Sequence, residues 1–473
     1  MLLTTSPAET ISQRRIVWLG YTLCLIAAVI IWGLVAHAQA AAPTDPFGLG
    51  LDVAFYLREG QQIRGGGLFA FNSTVHAYGY PLFVSLCLAI AETVQQPVTV
   101  IATYVQFALH VAAAWLALQL FIRLHKQPSI GQRIGVFFVL VCNPLLLMAT
   151  FYLLSDSVTV FWLTLALAAG LSNWRGRWWI VGLALGVCIV TRPFHQIWII
   201  IVLIGLLATL TFFRWVQRYR VHINSGQIGR TLIQMLVPLL LLVGTQYLIT
   251  YQQQGVWSIV GGTGNKAIQI HITGSLYYYR YETLLRPDGY VSGVRYYNND
   301  VRERIAPIAI EEPSMVALYI EQLRADPLSL PLMALIKAVG LFQHYDLRMF
   351  LSDLGIVSPL AFALGLVMFI LFVTIVQEGL LQALALIRQR PRGLKLTPSI
   401  VLFWVIVTYV VLYAIATAPE PRFIFPIFPA ITILGLHIMS QPRPLWQRVS
   451  APIIASVLYG IAAFIILPAA TLG

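Results

Sequence analysis

Apolar runs of roughly 20 residues recur along this 473-residue chain, and they constrain its fold more than any motif does. A run of that length crosses about 30 Å of hydrocarbon as a helix. Backbone polar groups in lipid must be satisfied within the segment, so the runs are helices rather than open sheets. Hydrophobic residues make up 59% of the chain and charged ones only 10%. Soluble domains carry about 25% charged residues, so a water-soluble globule is excluded. The expected fold is an all-α polytopic membrane protein.

The net charge of +12 is arranged by loop. One set of short loops holds Arg14, Arg15, Arg123, Lys126, Arg133, Arg175, Arg177, Arg214, Arg218, Arg220, Arg230, Arg388, Arg390, Arg392, Lys395, Arg443 and Arg448, with only Glu9 and Glu378 as acids. The alternate loops hold the other bases and nearly all the remaining acids. This is the positive-inside pattern, so the basic excess orients the chain and meets anionic membrane lipid. It implies no nucleic-acid partner. Cys24, Cys87, Cys142 and Cys188 all lie in apolar segments without metal-ligand spacing, as small core residues do.

Near the N-terminus, Arg14-Arg15, an apolar stretch and Ala36-His37-Ala38-Gln39-Ala40 imitate a signal peptide. The stretch 16–36 exceeds the usual h-region of about 7–15 residues, so an uncleaved first span is expected. A polar outer loop, 38–78, follows. Segment 80–94 is short, and charge parity holds only if it dips in or lies along the outer leaflet. The further expected spans are 98–122, 134–154, 157–171, 178–191, 194–213, 231–250, 354–376, 397–417, 423–439 and 451–467. The total is about 11 helices, or 12 if 80–94 crosses. Three parts are expected: a transmembrane module over 1–250, a long outer region over 251–353, and C-terminal spans over 354–473. Within the outer region, 326–345 is amphipathic, carries Lys337 and reads as a helix on the membrane surface.

This topology brings Asp52, Tyr56, His76, Asp156, Arg192, Glu420 and Arg422 to one face from separate parts of the chain. Ionisable groups at membrane depth are costly and mark function by default. A carboxylate at Asp52 can serve as general base, and an N-cap is its structural alternative. Tyr56, one helical turn on, can orient it. Arg192 and Arg422 are suited to gripping a phosphate. Asp156, Glu420, His76 and Lys337 complete the candidate substrate-contacting set. Asp156 can also cap a helix, and Arg422 can pair simply with Glu420. The clusters Tyr277-Tyr278-Tyr279 and Tyr296-Tyr297 suit sugar stacking or an interfacial anchor equally. Gly261-Gly262-Thr263-Gly264 lacks the context of a nucleotide loop and reads as a flexible turn.

The ordered motifs carry a resemblance. Asp52-x-x-x-Tyr56, Gly79-Tyr80-Pro81-Leu82, Asn143-Pro144 with Leu154-Ser155-Asp156, Leu183-x-x-Gly186 with Thr191-Arg192-Pro193, and Glu420-x-Arg422-Phe423 with Pro426 and Pro429 occur in that order. Over 1–215 and 397–440 the chain resembles the GT-C superfamily. Within it, the likeness is to phospholipid-carrier-dependent glycosyltransferases of the protein-mannosyltransferase and aminoarabinose-transferase type. The resemblance implies an inverting, polyprenyl-phosphate-sugar-dependent glycosyltransferase in the plasma (inner) membrane, active on the extracytoplasmic side. Its partners would be a polyprenyl-phosphate-linked sugar and a lipid, glycan or protein acceptor. The family's catalytic acid maps onto Asp52. The chain departs from its relatives in having Val53 where many carry a second acid, and Asp156 where many carry Glu. No metal or other cofactor is expected, a divalent ion at Asp52 and Asp156 being the alternative. A secondary transporter or flippase of lipid-linked sugars is the rival reading, and it would favour broken helices, internal repeats and charges near the midplane.

Overall fold

The structure, a computed structural model, describes residues 11–40, 50–125, 127–205, 225–261, 278–286, 289–296, 324, 327, 329–342, 357–389, 397–416 and 421–461. Within these stretches the side chains of 37–40, 50–52, 225–228, 278–296, 329–333, 357–361, 385–389, 416 and 421 are not described. Glu420 lies outside the described residues, as does most of the segment 262–328.

The described chain is predominantly helical. Seven helices are long and apolar enough to cross a membrane: Ile11–Ala36, Val98–His125, Ile130–Ala149, Gly229–Gln254, Phe362–Leu384, Pro398–Ile415 and Arg422–Met439. The chain is therefore a multi-pass membrane protein, with seven such spans among the described residues. Other expected spans are short. Gly79–Val94, Asp156–Gly170, Arg177–Thr191 and His195–Gly205 are apolar helices of 10–17 residues. At 1.5 Å per residue the first three fall short of the roughly 30 Å hydrocarbon core, while His195–Gly205 runs to the edge of the described residues, so the expected span 194–213 lies partly outside them. The all-α expectation is also modified. Strands β1 (Tyr278–Arg286) and β2 (Gly289–Tyr296) form an antiparallel hairpin, with Tyr281 opposite Val294 and Thr283 opposite Ser292.

The helices that carry the site are α1 (Ile11–Ala40), α2 (Gly50–Gly66), α3 (Gly79–Val94) and α4 (Val98–His125). They are followed by α5 (Ile130–Val141), α6 (Pro144–Ala149), α7 (Asp156–Gly170), α8 (Arg177–Thr191) and α9 (His195–Gly205). The remainder are α10 (Ser225–Gln254), α11 (Ser329–Gly340), α12 (Val357–Gln389), α13 (Pro398–Ala416), a 3₁₀ segment Pro421–Ile427, α14 (Phe428–Met439) and α15 (Leu445–Ile461).

Burial sorts the spans. In the span 422–439, 72% of the apolar window is buried, against 22% in 11–36 and 17% in 229–254. The first is central. The other two are peripheral and expose Leu19, Leu23, Ile26 and Ile30, and Leu240, Leu241 and Leu248. Continuous exposed aliphatic faces of this kind suit lipid, where they need no protein partner.

Helix α3 does not run the length of the bundle. Its start touches α4 where the Tyr80 hydroxyl donates to Gln106 Oε1 at 3.3 Å. Its far end turns through Gln95, whose backbone is left-handed, into the start of α4 at Val98. From Gln106 to His125, α4 continues about 28 Å further. Both ends of α3 therefore sit toward one end of α4. The other end of the bundle gathers basic loops. His125 meets Ser440 at 3.2 Å, Arg443 pairs with Glu378 at 2.6 Å, and Arg123 donates to the Ala168 carbonyl at 3.2 Å.

Candidate functional site

The site is built where helix ends converge opposite those basic loops. Asn143 starts the local architecture: it caps α6, its side-chain oxygen accepting from the backbone N–H of Leu145 (3.0 Å) and Leu146 (3.3 Å). Pro144 occupies the first helical turn, where its missing N–H costs nothing. The chain then leaves α6 through an irregular, fully packed stretch, 150–155, whose backbone groups need partners. Gln106 supplies two, donating from Nε2 to the carbonyls of Thr150 (3.0 Å) and Tyr152 (2.9 Å). Its Oε1 accepts from Ser157 Oγ at 2.8 Å. Trp32 on α1 donates to Thr150 Oγ1 at 3.0 Å. This clamp delivers Asp156 to the first turn of α7, 2% exposed.

Arg192 arrives from the other side, as the residue that ends α8. Its guanidinium pairs with Asp156 and donates from Nε to Ser155 Oγ at 3.0 Å. The two candidates thus form one buried ion pair. Its arginine side chain is only 12% exposed. Tyr409 and Tyr413 on α13 flank the pair, stacked on each other with centroids 4.6 Å apart. The Arg192 charge bears on the Tyr413 hydroxyl. Tyr409 donates to the Phe423 carbonyl at 2.8 Å, which ties α13 to the segment bearing Arg422. The guanidinium carbons of Arg192 and Arg422 lie 5.6 and 5.8 Å from the Phe423 ring, so two like charges approach one aromatic.

On the opposite flank, Tyr56 of α2 packs on the ring of Tyr80 at 4.6 Å and on that of His76 at 4.4 Å. Tyr80 is fully buried and close enough to Asp156 to sense its charge. Asp52 lies in α2 one turn before Tyr56, and its side chain is outside those described. Positions 52, 56 and 59 recur at i, i+4 and i+7, the spacing of one helix face. The third of these, Glu59, is 1% exposed, and both its carboxylate oxygens lie 3.1 Å from His76 Nδ1.

Of the sequence candidates, Tyr56, His76, Asp156, Arg192 and Arg422 are thus joined through Tyr80 and Phe423 into one continuous polar and aromatic seam. Lys337 stands on α11, which packs against α13. It is buried at 1% exposure and makes no ion pair among the described residues, rather than lying solvated on a surface helix. Burial lowers its pKa to about 7. Residues that sequence reasoning missed include Glu59, Gln106, Tyr409, Tyr413 and His195. His195 is fully buried, with Nδ1 3.1 Å from the Arg192 carbonyl, and its other ring nitrogen has no partner among the described residues. Glutamines and tyrosines inside apolar runs were the available signal: a buried polar group there must be hydrogen-bonded. No set of three metal-ligating side chains occurs among the described residues.

No family model, curated protein or solved structure matches this chain.

Proposed function

We propose that the protein is an inverting glycosyltransferase that moves a sugar from a polyprenyl-phosphate carrier to an acceptor hydroxyl at the extracytoplasmic membrane face. The observation that carries this reading is the buried Arg192–Asp156 pair. It is walled by Tyr409, Tyr413 and Phe423, has Arg422 beside it, and sits at one end of an otherwise apolar bundle. Buried charge in a membrane protein is retained where it works on a substrate. Two arginines at one aromatic wall suit an anionic lipid phosphate. Their collection at one end of the helices favours interfacial chemistry over midplane transport. The ordered motifs that resemble GT-C enzymes point the same way.

In this mechanism the prenyl tail enters sideways from the lipid, and Arg192 with Arg422 holds the phosphate. Lys337 stands on the helix that packs against α13. Asp52, steadied by Tyr56, removes the proton of the acceptor hydroxyl as its oxygen attacks the anomeric carbon. The bond from that carbon to the phosphate oxygen breaks on the opposite face, through an oxocarbenium-like transition state. Its electron pair leaves with the lipid phosphate, whose growing charge the arginines stabilise. Asp156 sets the position of Arg192, while Glu420 and His76 bear on the substrate side.

The test incubates purified protein in lipid nanodiscs with a panel of polyprenyl-phosphate sugars and follows released polyprenyl phosphate. Turnover with at least one donor is expected. Asp52→Asn should fold and lose about 10²–10⁴-fold in rate. Near-wild-type turnover in that variant would remove Asp52 from the mechanism, and no release from any donor would remove the function.

A further inference from the structure

A second feature stands apart from the arginine pair. Between α2 and the loop 67–78 opens a pocket of about 370 Å³, lined by Phe55, Arg58, Glu59, Gln62, Asn72 and Ser73, with Thr74 and Val75 completing the wall. The volume is in the range of small-molecule sites. Its walls are held in place. Gln62 Oε1 accepts from the Asn72 N–H at 3.1 Å, and Ser73 Oγ accepts from the N–H of His76 at 2.9 Å and of Val75 at 3.3 Å. From α10, Gln254 donates to the Ser73 carbonyl at 2.8 Å and Gln253 to the Phe69 carbonyl at 2.7 Å. Buried Glu59 is steadied by His76, and the Arg58 guanidinium lies 5.0 Å over the Phe55 ring.

From this geometry we infer that the pocket binds one ring of a neutral carbohydrate. A carboxylate accepts from neighbouring hydroxyls, and each oxygen retains lone pairs beyond its contact with His76. The Gln62 and Asn72 amides donate and accept, the Thr74 hydroxyl does both, the Ser73 hydroxyl keeps its O–H to donate, and an aromatic face receives the C–H side of a sugar ring. An anion would face Glu59. A cation would face Arg58. A lipid tail would leave these polar groups without hydrogen-bond partners, which disfavours it. Tyr56 joins the pocket to the arginine pair, its ring touching those of His76 and Tyr80. The role of the ring rests on the transferase reading: it is the acceptor, held with a hydroxyl toward the α2 face that carries positions 52 and 56. The ligand class rests on the pocket alone.

The test uses full-length protein in nanodiscs and a panel of methyl glycopyranosides, with no lipid-linked donor present. Binding is read by saturation-transfer NMR. At least one glycoside should bind wild type, and Glu59→Gln and the half-exposed Gln62→Ala should each weaken it about tenfold or more. Thermal unfolding identifies a variant that has lost its fold, and Gln62→Ala keeps the test sound if Glu59→Gln does. The inference is overturned if no glycoside binds wild type, if Gln62→Ala binds as wild type does, or if inorganic phosphate outcompetes the glycosides. Glycoside binding without any release of polyprenyl phosphate would remove the transferase and leave the pocket standing. Release without glycoside binding would do the reverse.

Discussion

Arg192 and Asp156 are separated by 36 positions, yet each is buried chiefly because the other is there. Removing one partner of a buried ion pair leaves an uncompensated charge, typically costing about 3–5 kcal/mol. Asp156→Leu and Arg192→Met should each destabilise by that order, whereas the double variant should recover most of the loss. Unfolding of the four proteins in one detergent measures the coupling, and additive losses would show that the pair is not a unit. Lys337 supplies a second residue-scale expectation. Burial lowers its pKa from 10.5 to about 7. Between those values the unfolded chain binds more protons than the native one, so native stability rises with pH across that window. Below about 7 the buried charge carries its full penalty. Lys337→Met should therefore stabilise most below pH 7, and its advantage should shrink toward pH 10. A pH-independent difference in melting temperature would place Lys337 elsewhere. Arg192, Asp156 and Tyr56 were visible in the sequence as polar residues on one face. The Glu59–His76 contact was not, because a pairing 17 positions apart follows no helical period.

At the scale of elements, close approach is bought with glycine. A Cβ on Gly79 would sit 2.6 Å from the backbone carbon and oxygen of Val190, so α3 meets the end of α8 backbone to backbone, next to Arg192. On the other face of α8, a Cβ on Gly186 would lie 2.9 Å from Leu242 and 3.2 Å from the Leu239 backbone of α10. Small residues four apart at helix contacts are the usual route to tight packing in lipid. Gly79→Ala should cost about 1–3 kcal/mol and lower any turnover by displacing Arg192. Gly135→Ala, where nothing lies within 4 Å, should leave stability unchanged or slightly raised. Thermal midpoints and turnover of the two variants decide this, and equal effects would overturn it. The motifs Gly79-Tyr80-Pro81 and Leu183-x-x-Gly186 were legible as patterns. Their packing role was not, since a glycine does not declare which backbone it admits.

Across the whole molecule, polar contacts separate into two ends. One holds Glu59, His76, Asp156 and Arg192, and the other holds His125, Glu378, Ser440 and Arg443. Asn72→Cys and Arg175→Cys place exposed thiols near the first end and in a basic loop respectively. The four native cysteines are buried and free. In sealed vesicles of one orientation, a membrane-impermeant maleimide should label one variant from outside and the other only after permeabilisation. Labelling of both from the same side would overturn the two-ended arrangement.

Apolar run length is a local property. It follows from the need to satisfy every backbone group within a segment, so the sequence alone determined a multi-pass helical membrane protein. Helix faces, in contrast, are not sorted in lipid by hydrophobicity, because lipid is as apolar as the helices. Which faces meet is decided by glycine contacts and by buried polar groups finding partners. That is why only the tertiary structure disclosed the Gln106 clamp, the Arg192–Asp156 pair between Tyr409 and Phe423, the burial of Lys337 and the pocket above Glu59.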